Sequence, residues 1–238
     1  MNVVITGASR GIGKAIAEIF AANGHDLFLS SKNEAAIYQA MVELQGKYPG
    51  VKMKAIAKDL SKRDEVESFG KWVLDNNVTI DVLVNNAGNF LPGSVYNEEA
   101  GFLEEMLATN LYSAYHLTRK LLPQMMQQNP VGGTRGHIFN MCSIASLQAY
   151  KNGGAYSISK YAMHGFSKNL REEMKPHLIK VTSVFPGAVM TDSWSGFDNS
   201  NNRIMEAGDI ARLVYASSQL SPQACVEDII IRPQLGDL

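Results

Sequence analysis

The chain has 238 residues, 22 Lys+Arg against 23 Asp+Glu for a formal net charge of -1, and is 45% hydrophobic and 19% charged. That length suits one α/β domain with a sizeable core, and the balanced charge, with no long basic run, argues against a protein that binds by neutralising phosphate backbones, so nucleic acid is not an expected partner. No apolar run exceeds four residues, and the chain opens with Met1-Asn2-Val3-Val4-Ile5 rather than a basic stretch followed by an apolar one, which predicts a soluble, cytoplasmic protein with no membrane partner.

Short β-branched runs alternate with longer stretches of helical period, the pattern of βαβ units wound into a parallel sheet. Strands are predicted at 2–6, 26–30, 51–57, 80–84, 136–142, 180–185 and 227–231, and helices at 11–23, 33–48, 61–76, 98–128, 155–175 and 207–220. The first helix carries Ile12, Ala15, Ile16, Ile19 and Phe20 on one stripe and closes at Asn23-Gly24, a favoured C-terminal signal. Ser61 with Asp64 resembles a capping box for the third helix, and Pro123 is expected to kink or break the long fourth one. The stretch 186–205 lacks periodicity and holds Gly187, Gly196 and the polar run Asp198 to Asn202. Following a strand at the sheet edge where such folds bind ligands, it reads as a lid. No repeat or linker marks a domain boundary, so the expectation is a single doubly wound α/β domain of seven parallel strands with helices on both faces.

The chemistry begins at Thr6-Gly7-Ala8-Ser9-Arg10-Gly11-Ile12-Gly13, between the first strand and the first helix. Glycines there permit a tight turn, close approach to a pyrophosphate and close helix packing, while free N–H groups and the helix dipole face the anion. Further along, Tyr156 and Lys160 stand four residues apart on one helix and therefore share a face. An ammonium beside a phenol stabilises the phenolate, which gives a proton donor and acceptor usable near neutral pH. Ser143 ends the fifth strand, with Ser146 a rival in the same loop, and Asn110 sits in a helical pattern where its propensity alone makes it an exposed filler.

The glycine spacing, together with Asn85-Asn86-Ala87-Gly88, Tyr156-Ser157-Ile158-Ser159-Lys160 and Pro186-Gly187 in that order, resembles the short-chain dehydrogenase/reductase family along nearly the whole chain. The resemblance implies a Rossmann-type oxidoreductase that moves a hydride between a nicotinamide dinucleotide and a small-molecule carbonyl or alcohol. It selects Ser143 by its spacing to Tyr156 and implies a catalytic set of Asn110, Ser143, Tyr156 and Lys160. In that set Ser143 orients the substrate oxygen, Tyr156 transfers the proton, and Lys160 also binds the nicotinamide ribose. Asn110 holds a water that relays protons from Lys160. For the cofactor it implies Gly7, Ser9, Arg10, Gly11, Ile12 and Gly13 at the first turn, Asn86, Ala87 and Gly88 after the fourth strand, and Pro186, Gly187, Val189 and Thr191 after the sixth. Asp59 with Leu60 would contact the adenine. Relatives often pair their two long helices, and those at 98–128 and 155–175 carry more apolar residues than one sheet-facing stripe needs, so a homodimer or homotetramer is expected.

NADP(H) is the expected cofactor, with NAD(H) the weaker alternative. An NAD-selective site offers a carboxylate after the second strand, where it would repel a 2′-phosphate; this chain has Ser31 and Lys32 there, and Arg10 can approach the same phosphate. The five histidines show no metal-ligand spacing and read as structural, and the 11 methionines read as core or interface filler. Cys142 and Cys225 read as two small buried hydrophobes, with no metal or disulfide expected. Tyr150, Trp194 and Phe197 could wall an apolar substrate pocket together with Ser143 and Tyr156. A methyltransferase also places a glycine-rich turn after its first strand but has no use for the Tyr-Lys pair. The alternative from another class is a non-catalytic NAD(P)-binding regulator or scaffold, which need not keep the four-residue set.

Overall fold

The computed structural model describes residues 1–194 and 196–237; Ser195 and Leu238 lie outside the described residues. Among the described residues, β1 (Asn2–Thr6), β2 (Asp26–Ser31), β3 (Met53–Ala57), β4 (Val82–Asn85), β5 (Gly136–Met141), β6 (Ile179–Pro186) and β7 (Asp228–Ile231) form one all-parallel sheet in the order β3-β2-β1-β4-β5-β6-β7. Parallel strands covered on both sides carry apolar residues at every position, and β1 shows why. Val3 and Ile5 pack with Ile16 and Phe20 of α1 (Gly11–Ala22), Ile37 of α2 (Glu34–Lys47) and Val214 of α7 (Ala207–Ser218). Val4 points the other way, toward Phe69 of α3 (Arg63–Leu74), Leu117 of α5 (Ser113–Gln127) and Leu170 of α6 (Gly154–Met174). The strand order reverses beside β1, so the loops after β1 and β4 diverge and open the crevice in which folds of this kind bind ligands.

The predicted strands all form, with bounds moved by at most two residues. The helices hold more corrections. Ser61 does not cap α3: its hydroxyl donates to Asp59 Oδ1 at 2.7 Å, the same carboxylate accepts the Ser61 N–H at 3.2 Å, and the N-cap falls at Lys62 with no side-chain bond. The nearby carboxylate, a charged acceptor, accepts the hydroxyl's hydrogen bond in place of a helix N–H donating to Ser61.

The single long helix expected at 98–128 is α4 (Phe102–Leu107), a π-helical turn at Ala108–Tyr112, and α5, which runs unbroken through Pro123. Arg119 and Pro123 are both exposed, on the side of the helix where water can satisfy a carbonyl that lacks its N–H partner, while the fully buried Leu121 and Met125 pin the helix on either side. The irregularity falls instead around Asn110, which is buried, not exposed. Cys142 is buried as expected, but Cys225 is exposed in the stretch before β7. Asn23 does close α1, with Gly24 left-handed at φ 78°, a conformation open to glycine. No helix among the described residues is long and apolar enough to cross a membrane.

Candidate active site

Thr6, the last residue of β1, joins the two loops at the crevice. Its hydroxyl donates to Val84 O and accepts the N–H groups of Asn86 and Ala87, both at 2.9 Å. The Asn86 amide donates in turn to the carbonyls of Thr6 and Gly7 at 2.9 and 3.1 Å, so this side chain braces the turn. Gly7 and Gly11 hold φ of +64° and +54°, and a Cβ on Gly13 would collide with the Gly7 carbonyl. The N-cap of α1 is Arg10 in an extended conformation, with no side-chain cap and no acid in the first turn. First-turn N–H groups and the positive end of the helix dipole are therefore uncompensated, as a pyrophosphate requires. Ile12 packs partly buried against the core.

The 186–205 stretch folds over this turn. Gly187 N donates to Ile231 O, Val189 is buried and bridges Met205, and a methyl of Thr191 lies 3.2 Å from where a Cβ on Gly11 would sit. Beyond β2, the Ser31 and Ser9 hydroxyls meet at 2.8 Å, Lys32 pairs with Asp59 at 3.0 Å, and Arg10 pairs with Asp192 at 2.5 Å. Lys32 and Arg10 are 76% and 71% exposed, so these pairs are weak and exchangeable. Burial raises the Asp59 carboxyl, but hydrogen bonds from Ser61 and Lys32 outweigh it and hold the group below the usual carboxylate range. Leu60 is buried beside it.

On the other side of the crevice the contacts are enclosed. Lys160 Nζ donates to Met141 O, at the end of β5, at 2.8 Å and lies 5.8 Å from the centre of the Tyr156 ring. Asn110 Oδ1 accepts the Asn89 N–H at 2.7 Å, and its Nδ2 donates to Asn89 O and to Ser159 Oγ. The Ser159 hydroxyl donates on to the Tyr156 carbonyl at 2.7 Å. The position a Cβ would take on Gly88 is 3.1 Å from Asn110 Oδ1 and 3.6 Å from Lys160 Nζ, so a bare backbone is what lets these two side chains flank one point. Ser143, two residues beyond Met141, is nearly buried; its Oγ accepts the Ala145 N–H, while Ser146 Oγ is turned back onto the Ser143 N–H. Ser146 thereby supports Ser143 instead of competing with it. Burial pushes the neighbouring Cys142 thiol up to about 11, which keeps it protonated and inert.

The aromatic expectations divide. Tyr150, 42% exposed, lies against Gly153, and its partial burial, followed by the nearby Tyr156, pushes its phenol up. Trp194 and Phe197 pack edge-on against each other at 5.3 Å rather than on Tyr156. The ring that does meet Tyr156 is Phe90, edge-on at 4.9 Å and 37% exposed. It is two residues past the Asn-Asn-Ala-Gly run, and only that offset could have singled it out. Glu98 was likewise silent in the sequence: its carboxylate accepts the Ala155 N–H in the first turn of α6 at 3.0 and 3.1 Å. No group of three or more His, Cys, Asp or Glu that could hold a metal ion occurs among the described residues.

A family model described as short chain dehydrogenase matches residues 1–202. An uncharacterized oxidoreductase of Staphylococcus epidermidis is 30% identical, with 97% of this chain and 96% of that one covered. Among solved structures, an alcohol dehydrogenase from the archaeon Thermococcus sibiricus, complexed with 5-hydroxy-NADP, superposes with a TM-score of 0.88 at 28% identity, covering 98% of this chain and 96% of that one. A metagenomic short-chain oxidoreductase in complex with NADP gives 0.83 at 30%, covering 98% and 97%. With the glycine turn, the Tyr156–Lys160 helix and the strand order already in place, the match over most of the chain makes this protein an oxidoreductase of the short-chain dehydrogenase family.

Proposed function

We propose that the protein catalyses reversible hydride transfer between NADP(H) and a small carbonyl/alcohol pair, with Asn110, Ser143, Tyr156 and Lys160 as its catalytic residues. The observation that carries this reading is the convergence at Gly88: Lys160 Nζ and the Asn110 amide flank one point, Asn110 leads through Ser159 by two hydrogen bonds to the Tyr156 main-chain carbonyl, and Lys160 Nζ lies 5.8 Å from the centre of the Tyr156 ring. When bound, the nicotinamide supplies or accepts the hydride. Tyr156 donates the proton to the carbonyl oxygen in reduction and takes it back in oxidation. Lys160, fixed on the Met141 carbonyl, places positive charge by the Tyr156 ring and stabilises the negative charge left on the phenol oxygen. Ser143 Oγ donates to the substrate oxygen as charge develops there. Asn110 keeps the Asn89 loop and α6 in register and holds the water that relays protons from Lys160.

The first turn with Gly7, Ser9, Gly11, Ile12 and Gly13 would hold the pyrophosphate, and Ala87, Gly88, Pro186, Gly187, Val189 and Thr191 the nicotinamide half. Support for NADP(H) comes from the end of β2, where Ser31 and Lys32 replace the carboxylate of an NAD-selective site, and from Arg10 in the adjoining glycine turn, next to Ser9, whose hydroxyl meets that of Ser31. The two solved relatives described above carry NADP or a derivative of it. Asp59 and Leu60 would border the adenine. The 186–205 stretch would act as a lid, closing over the ligands from the base fixed by the Val189–Met205 bridge. Tyr150 and Phe90 would line the substrate side of Tyr156, and Trp194 and Phe197 would ride on the lid.

A second copy of the chain is the proposed partner. Tyr112, Tyr115, Ile158 and Tyr161 on α5, α6 and the π-helical turn are each more than a third exposed, an apolar surface that pairing these helices would cover. Light scattering at micromolar concentration should give a dimer or tetramer, and a species of only about 26 kDa would contradict it. The reaction itself is tested with a panel of carbonyl compounds and NADPH, following nicotinamide absorbance. Substrate-dependent loss is expected; no turnover with any of them, despite tight NADPH binding, would favour the non-catalytic regulator.

A further inference from the structure

We propose that Glu98 is a positioning residue for Tyr156, fixing the first turn of α6 and with it the loop that closes one side of the active site. This inference rests on the reading of Tyr156 as the proton-transferring group. The argument begins with what α6 lacks. Its N-cap, Gly153, has no side chain, and no side-chain cap is supplied from within the helix. The first N–H groups of a helix need acceptors, and here the acceptor comes from 57 residues upstream: both carboxylate oxygens of Glu98 receive the N–H of Ala155, the residue immediately before Tyr156. A carboxylate is also the group that the positive end of the helix dipole favours.

The surrounding backbone is shaped around that carboxylate. A Cβ on Gly154 would come within 2.6 to 2.8 Å of Gly93 O and both Glu98 oxygens, and one on Gly93 within 3.1 Å of Glu98 Cβ. Gly93 pairs with Gly153 as an isolated bridge, Gly93 N donates to Asn152 O, and the Ser94 hydroxyl donates to Asn152 Oδ1. The loop between β4 and α4 is thus fastened at both ends to catalytic machinery: at Asn89 by Asn110, and at Gly93, Ser94 and Glu98 by the start of α6. Phe90, between the two fastenings, is the residue that meets the Tyr156 ring. Removing the Glu98 clamp frees the first turn of α6 and the Phe90 side of the site together, while the pyrophosphate turn and the Lys160–Met141 bond are left untouched.

The test compares Glu98→Ala, Glu98→Asp and Glu98→Gln using NADPH and a carbonyl compound that the parent reduces. Misplacing a reacting group by about 1 Å costs about 100-fold, so kcat should fall about 10- to 100-fold in Glu98→Ala with KM for NADPH within about twofold. Glu98→Asp, too short to reach Ala155, should behave as Glu98→Ala does and carries the test if the alanine variant does not fold. Glu98→Gln, whose amide oxygen can accept the same N–H, should recover kcat to within about threefold. Hydrogen exchange of the amides at 154–158 should quicken in the alanine and aspartate variants and not in the glutamine one. Faster exchange with unchanged kcat, or a glutamine variant as slow as the alanine one, would overturn the assignment while leaving the proposed reaction standing. A parent with no reductase activity would overturn both.

Discussion

The two sides of the crevice are built in opposite ways. On the β5–α6 side, Asn110 and Lys160 are buried and Tyr156 half-buried; bonds of 2.9 and 2.7 Å run from Asn110 through Ser159 to the Tyr156 carbonyl, and Lys160 is held on the Met141 carbonyl at 2.8 Å. On the β2 side, Ser31 is half-buried against Ser9, while Lys32 and Arg10 sit at the surface, paired with Asp59 and Asp192 through contacts that water can replace. Buried polar groups must keep their partners or lose stability, whereas exposed ion pairs contribute about 0–1 kcal/mol. The fold therefore holds the proposed catalytic groups rigidly and leaves the proposed choice of dinucleotide to side chains that can change at little cost.

The strongest way to break that contrast is Tyr156→Phe. It removes one hydroxyl and almost no packing, so kcat should fall by about 1,000-fold or more, with dinucleotide affinity, measured by fluorescence titration, and the circular dichroism spectrum unchanged. A variant retaining most of the parent rate would remove Tyr156 from the mechanism. Asn110→Ala should do damage of two kinds, because it removes the bonds that tie the exposed Asn89 backbone and the buried Ser159 hydroxyl to the π-helical turn. Each hydrogen bond lost costs about 1 kcal/mol, and at about 2–4 °C per kcal/mol for a chain of this size the Tm should drop measurably along with kcat. An Asn110→Ala protein with the parent's Tm would show that the π-helical turn needs no such fastening.

The pH dependence of stability sharpens the same point on the rigid side. His137, in β5, is buried and stacked on Phe139 with ring centres 4.0 Å apart. Thr182 donates its hydroxyl to Val226 O, so it accepts from His137 Nε2 at 2.7 Å, which assigns the proton of the neutral ring. Burial, helped by the charge of Lys180, pushes this histidine down to about 3. The folded pKa lies below the unfolded one, so the unfolded chain binds the extra proton. The stabilisation is complete above the unfolded value near 6.5 and is lost as pH falls from there toward 3. Between pH 7 and 5 the loss should be about 2 kcal/mol, read from urea midpoints. His137→Gln should flatten that part of the profile, and an unchanged slope would rule this histidine out as its source.

How much of this was legible in the sequence follows the same division. Placements that depend on near neighbours could be read: the turn at Gly7 to Gly13, the i,i+4 pair Tyr156 and Lys160 on one helix, and strands such as β1 whose apolar residues serve both faces. What depended on distant partners could not. The burial of Asn110 comes from a π-helical turn that lets its amide reach Asn89 and Ser159, and no propensity encodes it. Glu98 reaches α6 across 57 residues, and Phe90 meets Tyr156 only because the loop is fastened at both ends. Ser61 failed as a cap because local pattern matching ignores the competing Asp59 two residues away.

The contrast between a fixed catalytic side and an exchangeable cofactor side is tested most directly by measuring kcat and kcat/KM with NADPH and with NADH for the parent and for Ser31→Asp/Lys32→Ala. The new carboxylate would bond the ribose 2′-OH and repel a 2′-phosphate. The parent should prefer NADPH; the double variant should prefer NADH, with kcat at saturating cofactor within about threefold of the parent, since the expected change lies in ground-state binding. A parent that prefers NADH, an unchanged preference in the variant, or a collapse of kcat with both dinucleotides would contradict the account.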